Sequence, residues 1–402
     1  MGDWLRERLD ERPAWMNALL AFCAFMTFVY VPWDLFVKPV AMDEEVWFGV
    51  RFHGALAKLF ALPHWAVYAA GTVGFWRMRR WMWPWASVYA GQVAFSFLVW
   101  PLLYVGGARG ALVGLVGGAA FAALALALWR ARARFEQARP GPRARYGEWA
   151  LVTGASAGLG AAFARALAAD GISCVLAARR EERLRELAEE LESRFGVKTR
   201  VVAVDLAAPG GAEALVRAVA DLEVAILVNN AGVGAAGRFE TPEPARLRQL
   251  VELNCAAPAV LSRALLPAMK RRGRGAVVMV GSVAGCQPLP LHALYAATKA
   301  FDNHLGEALF AECRGSGVDC LALLPGPTET EFQAVAGELP HAGETPEQVV
   351  ATALEALGRQ ASVISGWGNW LRANAAMRLA PRTVLALAAK QVFQQHVPPE
   401  RR

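Results

Sequence analysis

The sequence predicts two architectures in one chain: an all-α bundle of four membrane-spanning helices, then an α/β domain with a doubly wound parallel sheet of the Rossmann type. Three observations predict it. Charge-free apolar stretches crowd the first 131 residues; strand-like apolar runs alternate with helical segments from about residue 146; and the first of those runs ends in a glycine-rich turn that opens a helix. Bulk composition agrees, with 402 residues, 55% hydrophobic, 19% charged and a mean hydropathy of +0.28. A soluble domain carries about 25% charge, so the apolar excess needs a location. The composition excludes disorder, and six cysteines without a CxxC fit a reduced chain better than a disulfide scaffold. The net charge is +7, but 36 of the 42 basic residues are Arg and six are Lys, a usage that fits a GC-rich genome; no nucleic-acid partner is expected.

The bundle comes first, over residues 1–131. Eleven of the fourteen Trp lie before residue 132. Trp15–Trp33, Leu59–Trp76, Met82–Ala108 and Gly110–Trp129 carry no Asp, Glu, Lys or Arg and run 19, 18, 27 and 20 residues. Each spans, or nearly spans, about 30 Å of hydrocarbon as a helix. The second is the weakest, with Lys58 at its edge and Pro63 and His64 inside. Basic residues orient the bundle: Arg6, Arg8 and Arg12, then Arg77, Arg79 and Arg80, then six arginines between 130 and 145, face one side, twelve against four on the other. The positive-inside rule makes both termini and the second domain cytoplasmic, in a bacterial inner membrane. Trp76, Trp81, Trp83 and Trp85 form an interfacial belt. The first span is too long for a signal-peptide core and has no cleavage site after it, so it is expected to be retained. Gly106, Gly110, Gly114 and Gly118 make a small-residue stripe, read as helix packing within the bundle or, more sharply, as a homodimer contact. His53 and His64 sit eleven residues apart and are not expected to share a ligand; no metal site is expected anywhere.

A basic linker, 132–146, leads to the α/β domain at 147–365. WALVT, SCVLAA, RVVAVDL, VAILVNNAG, GAVVMVGS and VDCLALLPG read as strands, separated by helices near 161–170, 180–195, 212–221, 242–270 and 293–314. Gly154, Gly158 and Gly160 sit at the first strand-to-helix turn, where backbone N–H groups and a helix N-terminus face a pyrophosphate. Nineteen residues later, at the end of the second strand, an NAD site would carry Asp or Glu. Ala178 is followed instead by Arg179 and Arg180, whose guanidinium groups favour a 2′-phosphate and hence NADP(H). Tyr295 and Lys299 are four apart on a helix, so the ammonium lies beside the phenol and favours phenolate, making Tyr295 a usable proton donor near neutrality. Ser282 ends a strand thirteen residues earlier and is placed to hydrogen-bond a substrate oxygen.

In combination these motifs resemble the short-chain dehydrogenase/reductase family across residues 147–365. TGASAGLG looks like its cofactor loop, which implies roles for Gly154, Ser156, Gly158, Leu159 and Gly160. Asp205 and Leu206 of AVDL match the position that meets the adenine. Asn230, Ala231 and Gly232 of NNAG match the motif lining the cofactor pocket, and Asn254 matches an active-site asparagine at a helix kink that holds a relay water. Ser282, Tyr295 and Lys299 complete the tetrad, while Pro325, Gly326, Thr328 and Thr330 match the segment that orients the nicotinamide. One departure is Ala157, where many NADP-dependent members carry a basic residue, so coenzyme choice rests on Arg179 and Arg180. The resemblance implies hydride transfer from NADPH to a carbonyl, with Tyr295 as acid, Ser282 holding the oxygen, Lys299 depressing the phenol pKa and binding ribose, and Asn254 extending the proton path.

The substrate side is less explicit. VAGCQPLPLHAL after Ser282 is uncharged and suits a hydrophobic ketone; a lid near 331–345 carries Glu331, Glu338 and Glu344. The C-terminal extension, 366–402, mixes basic residues with an apolar stripe and is read as a packing helix pair, a membrane-surface segment or a cover for the substrate cleft. Tethering to a bilayer points to a lipid-like ketone or 3-oxoacyl thioester. Two alternatives stand beside this: oxidation of a hydroxylated lipid or steroid, and an NADP(H)-sensing protein whose bundle is the effector. The free cysteines read as small apolar fillers.

Overall fold

The structure is a computed structural model that describes residue 9 and residues 12–136, 141–340, 342–376 and 381–402. Arg6, Arg8, Arg139 and residues 377–380, which enter the expectations above, lie outside the described residues. The chain forms two compact units, Met1–Arg139 and Pro140–Arg402.

In the first unit four helices follow one another: α1 (Ala14–Phe36), α2 (Gly54–Arg77), α3 (Met82–Tyr104) and α4 (Gly107–Arg130). α1, α3 and α4 are long and apolar enough to cross a membrane. α2 has the length, but Lys58, Pro63 and His64 all lie inside it and it stays outside that set. α1 contains a wider turn at Met26–Tyr30, ahead of Pro32, whose missing N–H cannot continue the regular ladder. The expected connection around Arg109 is shorter than the charges indicated: α3 turns into α4 at Val105 and Gly106, and Arg109 lies in the first turn of α4.

The glycine stripe is used inside the chain. A side chain at Gly110 would meet the Pro101 carbonyl oxygen at 2.5 Å, one at Gly114 the Leu98 carbonyl at 3.1 Å, and one at Gly118 the Leu98 side chain at 2.5 Å. Those three positions let α3 and α4 pack backbone to backbone.

Between α1 and α2 the chain folds an antiparallel hairpin that was not expected, β1 (Glu44–Trp47) and β2 (Val50–His53), turning at Phe48 and Gly49, both with positive φ. It carries acidic residues back onto α2. Lys38 lies 3.0 Å from Asp34 and 2.8 Å from Asp43, and Lys58 lies 3.1 Å from Asp43. The His64 ring nitrogen Nδ1 is 2.6 Å from Glu45, and its ring stacks on Trp47 at 4.0 Å. The hairpin thus brings together charged residues far apart in the chain. His53 is exposed and faces Glu44 instead.

The second unit is built on seven parallel strands: β3 (Trp149–Thr153), β4 (Ser173–Ala178), β5 (Thr199–Ala203), β6 (Val224–Asn229), β7 (Gly275–Val280), β8 (Val318–Leu324) and β9 (Ser362–Ile364), in spatial order 5-4-3-6-7-8-9. The chain starts at β3, builds outward to β5, then crosses to β6, which opens a crevice above the carboxyl ends of β3 and β6. Helices cover both faces, so the strands are apolar throughout, as in Val224–Asn229, where all six residues are buried. On one face, α5 (Gly158–Ala169) and α6 (Glu181–Phe195) bury Phe163, Leu167, Leu184 and Leu191. On the other, α7 (Gly211–Ala218) and α8 (Pro244–Arg272) bury Leu215, Leu261 and Met269. α8 also has the length and hydropathy of a span, yet it packs here against the sheet.

The linker is not free chain along its whole length. Residues Pro142–Tyr146 form a helical turn whose Tyr146 is buried. Its hydroxyl donates to Asp319 at 2.8 Å, Arg145 pairs with the same carboxylate at 2.6 Å, and the Arg143 N–H donates to Asp170 at 2.8 Å.

Candidate active site

The turn after β3 is shaped by two glycines. Gly154 has φ +67°, and a side chain there would strike Ala231 Cα at 2.9 Å; at Gly160 it would reach the Gly154 carbonyl oxygen at 2.2 Å. Only bare backbone lets α5 start this close to the strand, with its first N–H groups open to the crevice. The neighbouring strand locks the turn: the N–H groups of Asn230 and Ala231 both donate to Thr153 Oγ1 at 3.0 Å, and Asn230 Nδ2 donates to the Thr153 carbonyl at 2.8 Å.

A single cavity of about 440 Å³ runs from this turn to the substrate side. Gly154, Ser156, Gly158 and Leu159 line it together with Arg179, Arg180, Asp205, Leu206, Asn230, Ala231 and Gly232. Pro325, Gly326, Thr328, Thr330, Ser282, Tyr295 and Lys299 complete the far half. Gly160 and Asn254, also expected at the site, stand behind the wall. Asn254 is 1% exposed within a wide turn at Glu252–Ala256; its Oδ1 accepts from the Val233 N–H, and its Nδ2 donates to the Val233 carbonyl and to Thr298 Oγ1, each at 3.0 Å. It still approaches the tetrad, because a side chain at Gly232 would lie 3.4 Å from Asn254 Oδ1 and 3.5 Å from Lys299 Nζ.

Ser282 is held at the end of β7. Asn303, on α9 (Ala293–Glu312), accepts from its N–H and donates to its carbonyl, while its hydroxyl accepts from the Ala284 N–H at 3.1 Å. Tyr295 and Lys299 project from the same helix, one turn apart. Lys299 Nζ donates to the Val280 carbonyl at 2.7 Å and to Asp302 Oδ2 at 3.0 Å, and both side chains of that pair are 6% exposed.

The electrostatics differ from expectation. Burial pushes the Tyr295 phenol up; Lys299 and the Ser282 hydroxyl pull it down without prevailing, and Glu338 and Asp302 add to the rise. Lys299 loses to burial but is held above its ordinary value by Asp302 and Tyr295, and burial raises the Asp302 carboxyl against the pull of Lys299. Asp302 is the functional residue that sequence reasoning missed. Its signal was available: an acid three residues after Lys299 shares its helix face.

Leu289, Phe332, Val335 and Phe393 form the apolar wall of the substrate end, with the Tyr295 and Phe332 rings 5.3 Å apart, while Gln333 and the His292–Glu338 pair add a polar edge to it. Each lid glutamate has its own fastening. Glu331 pairs with Arg180 and Arg183; Glu338 lies 3.1 Å from His292 Nε2; and Glu344 accepts from Asn369 at 3.5 Å. In the C-terminal segment, α13 (counting α10 Phe332–Ala336, α11 Pro346–Ala356 and α12 Trp367–Leu371 before it) spans Arg382–Phe393 and packs Ala389 and Phe393 against Leu289 and Ala296, with Phe393 on the cavity wall.

Residues 148–339 match the family model described as short chain dehydrogenase. A 7beta-hydroxysteroid dehydrogenase of Collinsella aerofaciens is 34% identical over 236 residues, covering 56% of this chain and 89% of that protein. The human very-long-chain 3-oxoacyl-CoA reductase is 30% identical, covering 59% and 81%. Among solved structures, a 7beta-hydroxysteroid dehydrogenase superposes with a TM-score of 0.59 at 30% identity, covering 62% of this chain and 99% of the other. A short-chain dehydrogenase from Sphingobium yanoikuyae in complex with NADPH gives 0.51 at 30% identity, covering 63% and 97%.

Proposed function

The chain belongs to the short-chain dehydrogenase/reductase family, and from that premise we propose that it is a membrane-anchored, NADPH-dependent reductase of a hydrophobic, lipid-like ketone or 3-oxoacyl thioester. The observation that carries this is the meeting, in one cavity, of Ser282, Tyr295 and Lys299 with an apolar chamber of Leu289, Phe332, Val335 and Phe393. Two relatives named for steroid and very-long-chain acyl substrates support the same substrate class.

The dinucleotide fits this chain's residues: the Gly154–Gly160 turn would hold the pyrophosphate, Asp205 and Leu206 the adenine, Arg179 and Arg180 the 2′-phosphate, and Pro325, Gly326, Thr328 and Thr330 the nicotinamide. Bound NADPH supplies the hydride. Ser282 Oγ, fixed by Asn303 on its backbone, donates to the substrate carbonyl oxygen. Tyr295 Oη delivers the proton to that oxygen, and its raised pKa keeps it a phenol at neutral pH, the form an acid needs. Lys299 restrains the resulting phenolate, and the proton that restores the phenol reaches Tyr295 past the Lys299 ammonium. Phe393 and Phe332 exclude water from the chamber.

In this reading the three apolar helices of the first unit anchor the chain, and the excess of basic residues on one side supports a catalytic unit on the cytoplasmic side of a bacterial inner membrane. The test is NADPH oxidation by the detergent-solubilised protein against ketones of increasing chain length, 3-oxoacyl thioesters included. Turnover should rise with chain length and be several-fold lower with NADH. A preference for small polar ketones rules the reading out.

A further inference from the structure

The coenzyme end of the cavity already holds a carboxylate. Arg180 and Arg183 both reach Glu331, at 2.8 and 2.5 Å, each taking a different oxygen. Arg180 also donates to Ser156 Oγ from Nε and Nη2, at 3.3 and 3.2 Å. Ser156 belongs to the glycine-rich turn and Arg180 follows the second strand, so these groups surround the place where the 2′-phosphate of NADP(H) is read. An anion bound by two guanidinium groups beside a hydroxyl is the arrangement a phosphate monoester seeks. The Glu331 carboxylate stands in for it.

Glu331 is not a bystander in the chain. It follows Thr330, which packs on the glycine turn, since a side chain at Gly158 would meet Thr330 Cγ2 at 3.0 Å. It also directly precedes α10, the lid helix that carries Phe332 into the substrate chamber. The ion pairs therefore tie the lid to the coenzyme arginines.

We propose that Arg183 is a third reader of the 2′-phosphate and that Glu331 competes with that phosphate for Arg180 and Arg183, so that the phosphate of NADPH unlatches the lid while the bare ribose of NADH leaves it fastened. This rests on the NADPH reading above and adds a specificity-determining pair to it. The latch is about half exposed, so it is a modest barrier that a dianion, with more charge and a third acceptor oxygen, displaces.

The test uses the full-length solubilised protein, with adenosine 2′,5′-bisphosphate and AMP as probes, measured by calorimetry. The native protein should bind the bisphosphate more tightly than AMP. Glu331→Gln should tighten the bisphosphate about 5-fold, Arg183→Gln should weaken it about 5-fold, and AMP should not respond to either. In native protein the bisphosphate, but not AMP, should speed amide hydrogen exchange across residues 332–336, the reverse of ordinary ligand protection. If native protein prefers the bisphosphate but neither substitution changes the ratio, the latch is wrong and the coenzyme reading stands. If native protein binds both probes equally, the coenzyme reading fails and the latch with it.

Discussion

At the scale of single residues, the site is governed by where its charges are buried. Tyr295→Phe removes the proton that the phenol hands to the carbonyl oxygen; turnover should fall by about 10²–10⁴ while NADPH affinity, read by fluorescence titration, stays within about twofold. Asp302 makes a finer prediction. Its carboxylate raises both Lys299 and Tyr295. In Asp302→Asn the phenol is pulled down by a lysine that no longer shares its charge, so the acid form is lost at lower pH. The alkaline limb of kcat/KM for ketone reduction should move to lower pH; an unmoved limb would show that Asp302 only packs. Arg179→Asp should raise the KM for NADPH far more than for NADH.

At the scale of elements, packing decides. Gly110 faces a backbone carbonyl that cannot turn aside, so Gly110→Val should cost about 1–3 kcal/mol through strain between α3 and α4, visible as a lower Tm in detergent. Phe393→Ala takes one wall out of the substrate chamber and should raise the KM for a long-chain ketone about tenfold without changing NADPH binding. Much of this level was legible in the sequence. A run such as VAILVN announces a strand buried on both faces, and the glycine turn, Ser282 and the Tyr295–Lys299 pair, all visible in the sequence, line one cavity in the fold. What stayed hidden depended on distant pairings. Nothing in the local pattern of EEVW or VRFH places Glu45 on His64, and nothing near Glu331 in the chain points to Arg183, nearly 150 residues away. The pull of Lys299 on Tyr295 was read correctly in sign; its defeat by burial needed the depth of the site.

At the scale of the whole molecule, the chain joins a unit of apolar helices to a unit that carries the Rossmann sheet and the cavity. If α1, α3 and α4 anchor the chain, alkaline carbonate should leave the protein in the membrane pellet, and release into the supernatant would refute anchoring. Where the tether meets the catalytic unit matters as well. Tyr146 and Arg145 grip Asp319 at the start of β8, and Arg143 grips Asp170 just ahead of β4. Those are the amino ends of the strands, whereas the cofactor crevice opens above their carboxyl ends. In a membrane-anchored chain, tension on the tether would therefore enter at the amino ends of β4 and β8, the ends opposite the cofactor crevice. The length of β4 and β8, cross-linked to their neighbours in the sheet, then separates the load from the chemistry, which would insulate a membrane-anchored enzyme from the bilayer.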